Sequence, residues 1–140
     1  MKILVTTLPE QGKEILENRI REKDLRLEVD IPSSYKVRVD KGAFTNSVLN
    51  NILSNAIKFS YENSSVTVVL SHLGADRSPL GIDSISIAVT DRGIGIHEDD
   101  HDAIFEEFTQ LDNSSSRVFA GTGLGLALVR RFAELQGGLI

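Results

Sequence analysis

Asn51, Asn55 and Lys58 fall within an arc of ~60° at 100° per residue, beside the apolar stripe of a helix. Asparagine is a poor helix former, and an ordinary solvated face draws on Glu, Lys and Gln instead. Two amides at i and i+4 followed by a cation suit a ligand made of metal and phosphate, because amide oxygens coordinate Mg²⁺ while an ammonium pairs with phosphate oxygens. On spacing alone a solvated surface accounts for the trio equally well.

Asp91-Arg92-Gly93-Ile94-Gly95 follows a strand-like Ile85, Ile87, Val89 alternation, and period-two counting puts Asp91 on the face of those three residues. A carboxylate facing a core needs a partner. A bound base with an exocyclic amino group supplies one, and two glycines let the backbone approach its ring. Taken by itself, the pattern reads better as a turn-forming Asp at a strand end. Gly121-Thr122-Gly123-Leu124-Gly125-Leu126 enters a helix, so unpaired N–H groups and a positive helix end face whatever anion arrives. Leu126 breaks the dinucleotide fingerprint, and no GxxxxGK[ST] run occurs. Alone, this glycine loop says little.

Two other patterns compete for attention. His97-Glu98-Asp99-Asp100-His101 satisfies H-E-x-x-H, in which two histidines one helical turn apart bind zinc. Its middle residues are both Asp and no third ligand is evident, so a solvated acidic run is the better reading. Asn63-Ser64-Ser65 and Asn113-Ser114-Ser115 match glycosylation sequons and read as loop chemistry.

The elements that must position these residues follow from periodicity. Lys2 to Thr7 reads as a strand, and residues 9 to 23 as a helix opened by Pro9, with Ile15, Leu16 and Ile20 apolar. Leu25, Leu27 and Val29, then Val37 and Val39, alternate around Pro32 and Ser33-Ser34 as a hairpin. Asp40 suits the N-cap of a long helix over 41 to 59, striped by Val48, Leu49, Ile52, Leu53, Ala56 and Ile57. Val66, Val68 and Leu70 make a strand paired with Ile85, Ile87 and Val89 across a surface loop. Residues 99 to 108 look helical. Leu124, Leu128, Phe132 and Leu135 mark a last helix ending at Gly137-Gly138. The sum is an α+β two-layer sandwich in one domain.

Composition narrows the function. The 140 residues are 41% apolar and 25% charged, with a net charge of −5 and no cysteine. Thiol catalysis, thiolate metal sites and disulfides are excluded, and a reducing, cytoplasmic setting is expected for this segment even if the parent is membrane-anchored. The acidic balance argues against broad nucleic-acid binding, and no apolar run approaches membrane-span length, so no membrane contact is expected.

Together and in this order, the motifs resemble the ATP-binding catalytic domain of sensor histidine kinases in the GHKL ATPase superfamily. Asn51 to Ser60 is similar to the family's N box, Asp91 to Gly95 to its G1 box, Phe105-Glu106-Glu107-Phe108 to its F box and Gly121 to Leu126 to its G2 box. The resemblance implies a mixed, mostly antiparallel sheet covered on one face by helices. It also implies ATP and Mg²⁺ as cofactors, with Asn55 the metal ligand, Asn51 supporting it, Lys58 on the phosphates and Asp91 on the adenine amino group. Gly93, Gly95, Gly121, Thr122, Gly123, Leu124 and Gly125 would shape the walls. Residues 109 to 122 would be a lid carrying Arg117 to the terminal phosphate, while Phe59, Phe105 and Phe108 would pack.

In the ATP-hydrolysing branches a glutamate stands four residues before the metal asparagine, where this chain has Asn51. The resemblance therefore implies transfer to a delivered nucleophile, the histidine of a separate dimerisation domain, with a response regulator served indirectly. His72, His97 and His101 lack the family's acceptor context. A non-catalytic ATP-binding switch and an anti-sigma-type protein-serine kinase are the alternatives. Residues 1–140 are expected to form one C-terminally truncated domain, since the family usually continues past the final Gly-Gly into two more strands.

Overall fold

Alternating apolar residues and one apolar helix stripe build two layers. The computed structural model describes residues 13–30, 42–106 and 125–140. Helix α1 spans Lys13–Glu22, strand β1 Arg26–Asp30, a π-wound turn Ala43–Leu49, helix α2 Asn50–Phe59, strand β2 Ser65–Leu73, strand β3 Ser84–Thr90 and helix α3 Gly125–Leu135. The sheet order is β1-β2-β3, with β1 parallel and β3 antiparallel to β2. The sheet is thus mixed, as expected.

The core lies between the sheet and the first two helices. Val66 and Val68 of β2 meet Leu53, Ala56 and Ile57 of α2 and Leu16 of α1, with Leu25 closing the cluster. Burial alternates along β2, where Val66, Val68 and Leu70 face inward, as a one-sided sheet requires. In α1 only Leu16 and half-buried Ile20 face the core. Ile15 is 59% exposed, because a residue ~100° from Leu16 on the side away from Ile20 leaves the stripe.

Several expectations need correction. The residue 41–59 helix is not uniform: its first half winds as a π-helix before α2 begins. Thr45, Asn46, Val48 and Asn50 are all weak helix formers, so little holds that stretch to α geometry. Residues 99–106 form no single helix but two 3₁₀ turns, Glu98–Asp100 and Ala103–Phe105. Four carboxylates between 98 and 102 repel one another and compete for backbone amides. The partner of β1 among the described residues is β2, in parallel, and the second arm of the expected hairpin lies outside them. The Lys2–Thr7 strand and the Asp40 cap also lie outside them.

Helix α3 occurs where expected but turns a different line inward. Val129 is fully buried while Leu128 and Leu135 are 44% and 70% exposed. Its end is as read: Gly137 sits at φ +78°, the Gly138 amide donates to the Ala133 carbonyl at 2.8 Å and the Gly137 amide to Glu134 at 3.0 Å. This paired closure needs a left-handed residue, which glycine supplies without strain. Leu139 and Ile140 follow, exposed and outside any described strand.

Candidate functional site

Helix α2 carries three of the expected residues on one face, and its regular winding from Asn50 to Phe59 preserves their arc. Asn51, Asn55 and Lys58 are all half-buried. At the junction with the π-wound turn the Asn51 amide nitrogen donates to the Ser47 carbonyl at 2.6 Å. Its oxygen faces Gly125, where a Cβ would stand 3.3 Å away. The N-box helix and the start of α3 thus meet at Asn51.

The other end of α2 meets the Asp91 segment. Phe59 ends the helix, and its carbonyl accepts the Ile94 amide at 3.3 Å, while the Tyr61 amide donates to the Arg92 carbonyl at 3.1 Å. Gly93 pairs with Ser60 as an isolated bridge. A Cβ on Gly93 would fall 2.0 Å from the Phe59 carbonyl oxygen, so only glycine permits this approach. Gly95 sits at φ +71° in open space, a turn that L side chains avoid.

Asp91 emerges one residue past β3 and is exposed. It is not buried on the face of Ile85, Ile87 and Val89 as the alternation suggested: β3 ends at Thr90, and the half-buried face stops at Val89. Its carboxylate lies beside Gly93. Neither Asp91 nor Asn55 makes a side-chain hydrogen bond to another described residue. Lys58 stands with its ammonium 5.3 Å from the Phe59 ring centroid. Burial, with Arg19 adding like charge, lowers its pKa from the ordinary 10.5, and a phosphate partner would favour the charged form again.

Phe105 is half-buried, under the Arg130 guanidinium of α3 at 5.8 Å from its ring centroid. Arg130 also pairs with Glu134 at 3.2 Å. This contact ties the F-box segment to α3. Phe108, Arg117, Gly121, Thr122, Gly123 and Leu124 lie outside the described residues, as does the expected lid.

The H-E-x-x-H run does not form one turn of α-helix. Around a 3₁₀ turn, residues four apart are ~120° apart and not ~40°. His97 Nδ1 accepts the Asp99 amide at 3.2 Å, and His101 Nε2 lies 3.2 Å from the Ile96 carbonyl. Both rings serve local backbone.

One contact had no sequence signal. Lys23, in the turn after α1, sends its ammonium to the carbonyls of Ile57 at 3.1 Å, Lys58 at 2.6 Å and Ser60 at 3.0 Å. Basic residues that cap a helix C-terminus usually come from its own last turn. This one comes from 34 to 37 residues away in the chain.

Fold and site define a class: an α+β sandwich in which one asparagine-bearing helix lies between two glycine-led segments. The family of histidine kinase-, DNA gyrase B-, and HSP90-like ATPases matches residues 40–140, and the chain belongs to it. Within that family it is an ATP-binding catalytic domain of the sensor histidine kinase type. The sensor-like histidine kinase SenX3 of Mycolicibacterium smegmatis is 38% identical over 116 residues, which is 83% of this chain and 28% of that kinase. The mycobacterial sensor histidine kinase MprB superposes with a TM-score of 0.66 at 26% identity, covering 89% of this chain and 76% of that one. Full-length ShkA, solved in complex with AMPPNP, gives a TM-score of 0.72 at 26% identity over 98% of this chain and 26% of that one. The chain thus spans little more than a quarter of the SenX3 relative. No helix among the described residues is long and apolar enough to cross a membrane.

Proposed function

We propose that this domain holds ATP with Mg²⁺ and passes the γ-phosphoryl group to a histidine presented by a separate dimerising helical domain, with a response regulator downstream. The observation that carries the reading is Asn51. Its nitrogen is engaged by the Ser47 carbonyl and its oxygen packs at Gly125, so the position four residues before Asn55 holds no base able to activate water. ShkA's complex with AMPPNP supports the same nucleotide chemistry by likeness.

In this reading the exposed Asp91 carboxylate accepts from the adenine amino group, and Gly93 lets the loop backbone lie against the base. Asn55 would hold the metal through its amide oxygen, with Asn51 supporting that side of the site. The Asn55 amide is half-buried and makes no side-chain hydrogen bond among the described residues, and its oxygen would suit a hard cation. When bound, Mg²⁺ neutralises charge on the phosphates. Lys58 would orient the phosphate chain, Arg117 would reach the terminal phosphate, and Gly121, Gly123 and Gly125 would shape the walls. The incoming imidazole nitrogen then bonds to the γ-phosphorus as the bond to the bridging oxygen breaks, and ADP leaves. Little more than placement and charge is asked of the protein.

The test is radiolabelled ATP with the purified chain, alone and with a dimerising acceptor hairpin. Acid-labile label on the hairpin and none on the chain is expected. Acid-stable label would indicate a serine kinase, and nucleotide binding without transfer would indicate a switch module.

A further inference from the structure

We infer that Lys23 is a positioning residue for the nucleotide site, setting through the carbonyls at the end of α2 both the Lys58 side chain and the seat of the Asp91–Gly95 segment. The inference rests on the proposed nucleotide reading for its functional meaning. Its geometry stands independently.

A helix ends with carbonyls that lack intrahelical donors and with the negative end of its dipole. Lysine brings three donors, and Lys23 directs its ammonium to Ile57, Lys58 and Ser60. The carbonyl it passes over is Phe59, the one that receives the Ile94 amide and lies against Gly93. The Ser60 amide and hydroxyl both donate to Ala56, at 3.2 and 2.6 Å. Each carbonyl from 56 to 60 therefore has an assigned donor, and the division decides which one faces the Asp91 segment. Ser60 is extended, at φ −68° and ψ 144°, so the helix stops where Lys23 gathers its end.

Lys23 is itself held at its backbone. Its carbonyl accepts the Asn63 amide at 2.9 Å and its amide donates to Arg19 at 3.1 Å. The neighbouring Leu25 amide donates to Ile20 at 2.9 Å. With the backbone anchored, the reach of the ammonium is defined, and so is the position of the α2 terminus relative to α1. Lys58 is the residue whose carbonyl receives the shortest of the three bonds, so its backbone is fixed one residue before the Gly93 contact. Generic helix capping would require only that some donor reach some carbonyl. The partition seen here links one side chain to two parts of the candidate site.

The experiment compares the wild-type chain with Lys23→Met and Lys23→Gln, each well below its melting midpoint. Affinity for Mg²⁺ and AMP-PNP is measured by calorimetry, and amide hydrogen exchange is followed in the ligand-free chains. Affinity per folded molecule should fall about tenfold in Lys23→Met, and by a smaller factor when the same change is made in a Lys58→Met background, because coupled residues are not additive. Exchange at the Ile94 amide should accelerate while the Val68 amide of β2 stays protected. Lower thermal stability with unchanged affinity and unchanged Ile94 exchange would reduce Lys23 to a fold stabiliser and overturn the inference. If Lys23→Met does not fold, Lys23→Gln gives the same readings. If the wild-type chain binds no nucleotide, the proposed function falls, and Ile94 exchange alone decides the role of Lys23.

Discussion

At its C-terminal end α2 is gripped by hydrogen bonds from Lys23 and Ile94 and by a backbone contact at Gly93, whereas at its N-terminal end a π-wound turn and Asn51 pack beside Gly125. The missing Cβ measures the difference, at 2.0 Å from backbone oxygen at Gly93 but 3.3 Å from a side-chain amide at Gly125. Backbone cannot move aside and an amide can. The end proposed to meet adenine through Asp91 and the phosphates through Lys58 is therefore preset, and the side proposed to meet the metal, at Asn51 and Asn55, has room to adjust. Preformed hydrogen bonding suits selection of a base and placement of a cation, while adjustable packing suits a metal site whose phosphate partner changes on transfer.

Gly93→Ala attacks the preset end and should have the largest effect. The methyl group cannot coexist with the Phe59 carbonyl, so about 3 kcal/mol of stability should be lost, read by urea unfolding. A change within about 0.5 kcal/mol would show that the two segments are not in contact in solution.

Asp91→Asn leaves the packing alone and changes only what the preset end offers a base. It should weaken ATP binding by roughly 1.5–3 kcal/mol, the value of a charged hydrogen bond, and relax preference for ATP over GTP. Calorimetry showing unchanged ATP affinity would remove Asp91 from the site.

Asn55→Ala tests the adjustable end. Its half-buried place at the rim of the apolar stripe predicts a fold that melts within a few degrees of wild type, together with ATP binding that no longer depends on Mg²⁺. A large fall in melting temperature without ligand would instead make Asn55 structural.

Lys58 should give a pH signature. Because its pKa is lowered, ATP affinity should decline as pH rises through a value below 10.5 if the Lys58 ammonium meets the phosphates as proposed. Folding has the opposite sign in that window: the unfolded chain binds the proton more tightly, so this group's contribution to stability rises with pH. Titrations of Lys58→Arg, whose charge persists, should lack the alkaline loss of affinity.

Gly125→Ala should matter least. A shift of a few tenths of an ångström at Asn51 offsets the roughly 1 kcal/mol that alanine gains over glycine within a helix, so melting should barely move. Collapse of the fold would mean that the two ends of α2 are equally rigid.

The sequence made much of this arrangement legible because the signals were periodic or positional. The stripe from Val48 to Ile57, the β2 and β3 pair, and the close of α3 at Gly137 each follow from local rules. The 3₁₀ turns at Glu98–Asp100 and Ala103–Phe105 escaped because repulsion among neighbouring carboxylates competes with helical spacing, and the π winding because no apolar period distinguishes it. Exposed Leu128 and Leu135 show that residues at helical spacing need not face inward when a neighbouring line, here Val129, fits the core better. At the candidate site, type and spacing singled out Asn51, Asn55, Lys58, Asp91 and Gly93, and only the four motifs taken together gave them proposed roles. Lys23 was not, since its partners lie far along the chain and are carbonyls, which no side-chain pattern reveals.

The most direct test of the account is an amide-resolved NMR titration of the ligand-free chain with Mg²⁺ and AMP-PNP. Shifts should concentrate at Asn51, Asn55, Lys58, Asp91, Gly93 and Ile94, with β1 and the Glu98–Asp100 turn unaffected. Saturating nucleotide that leaves those six amides unmoved, or moves instead the loop between β2 and β3, would contradict it.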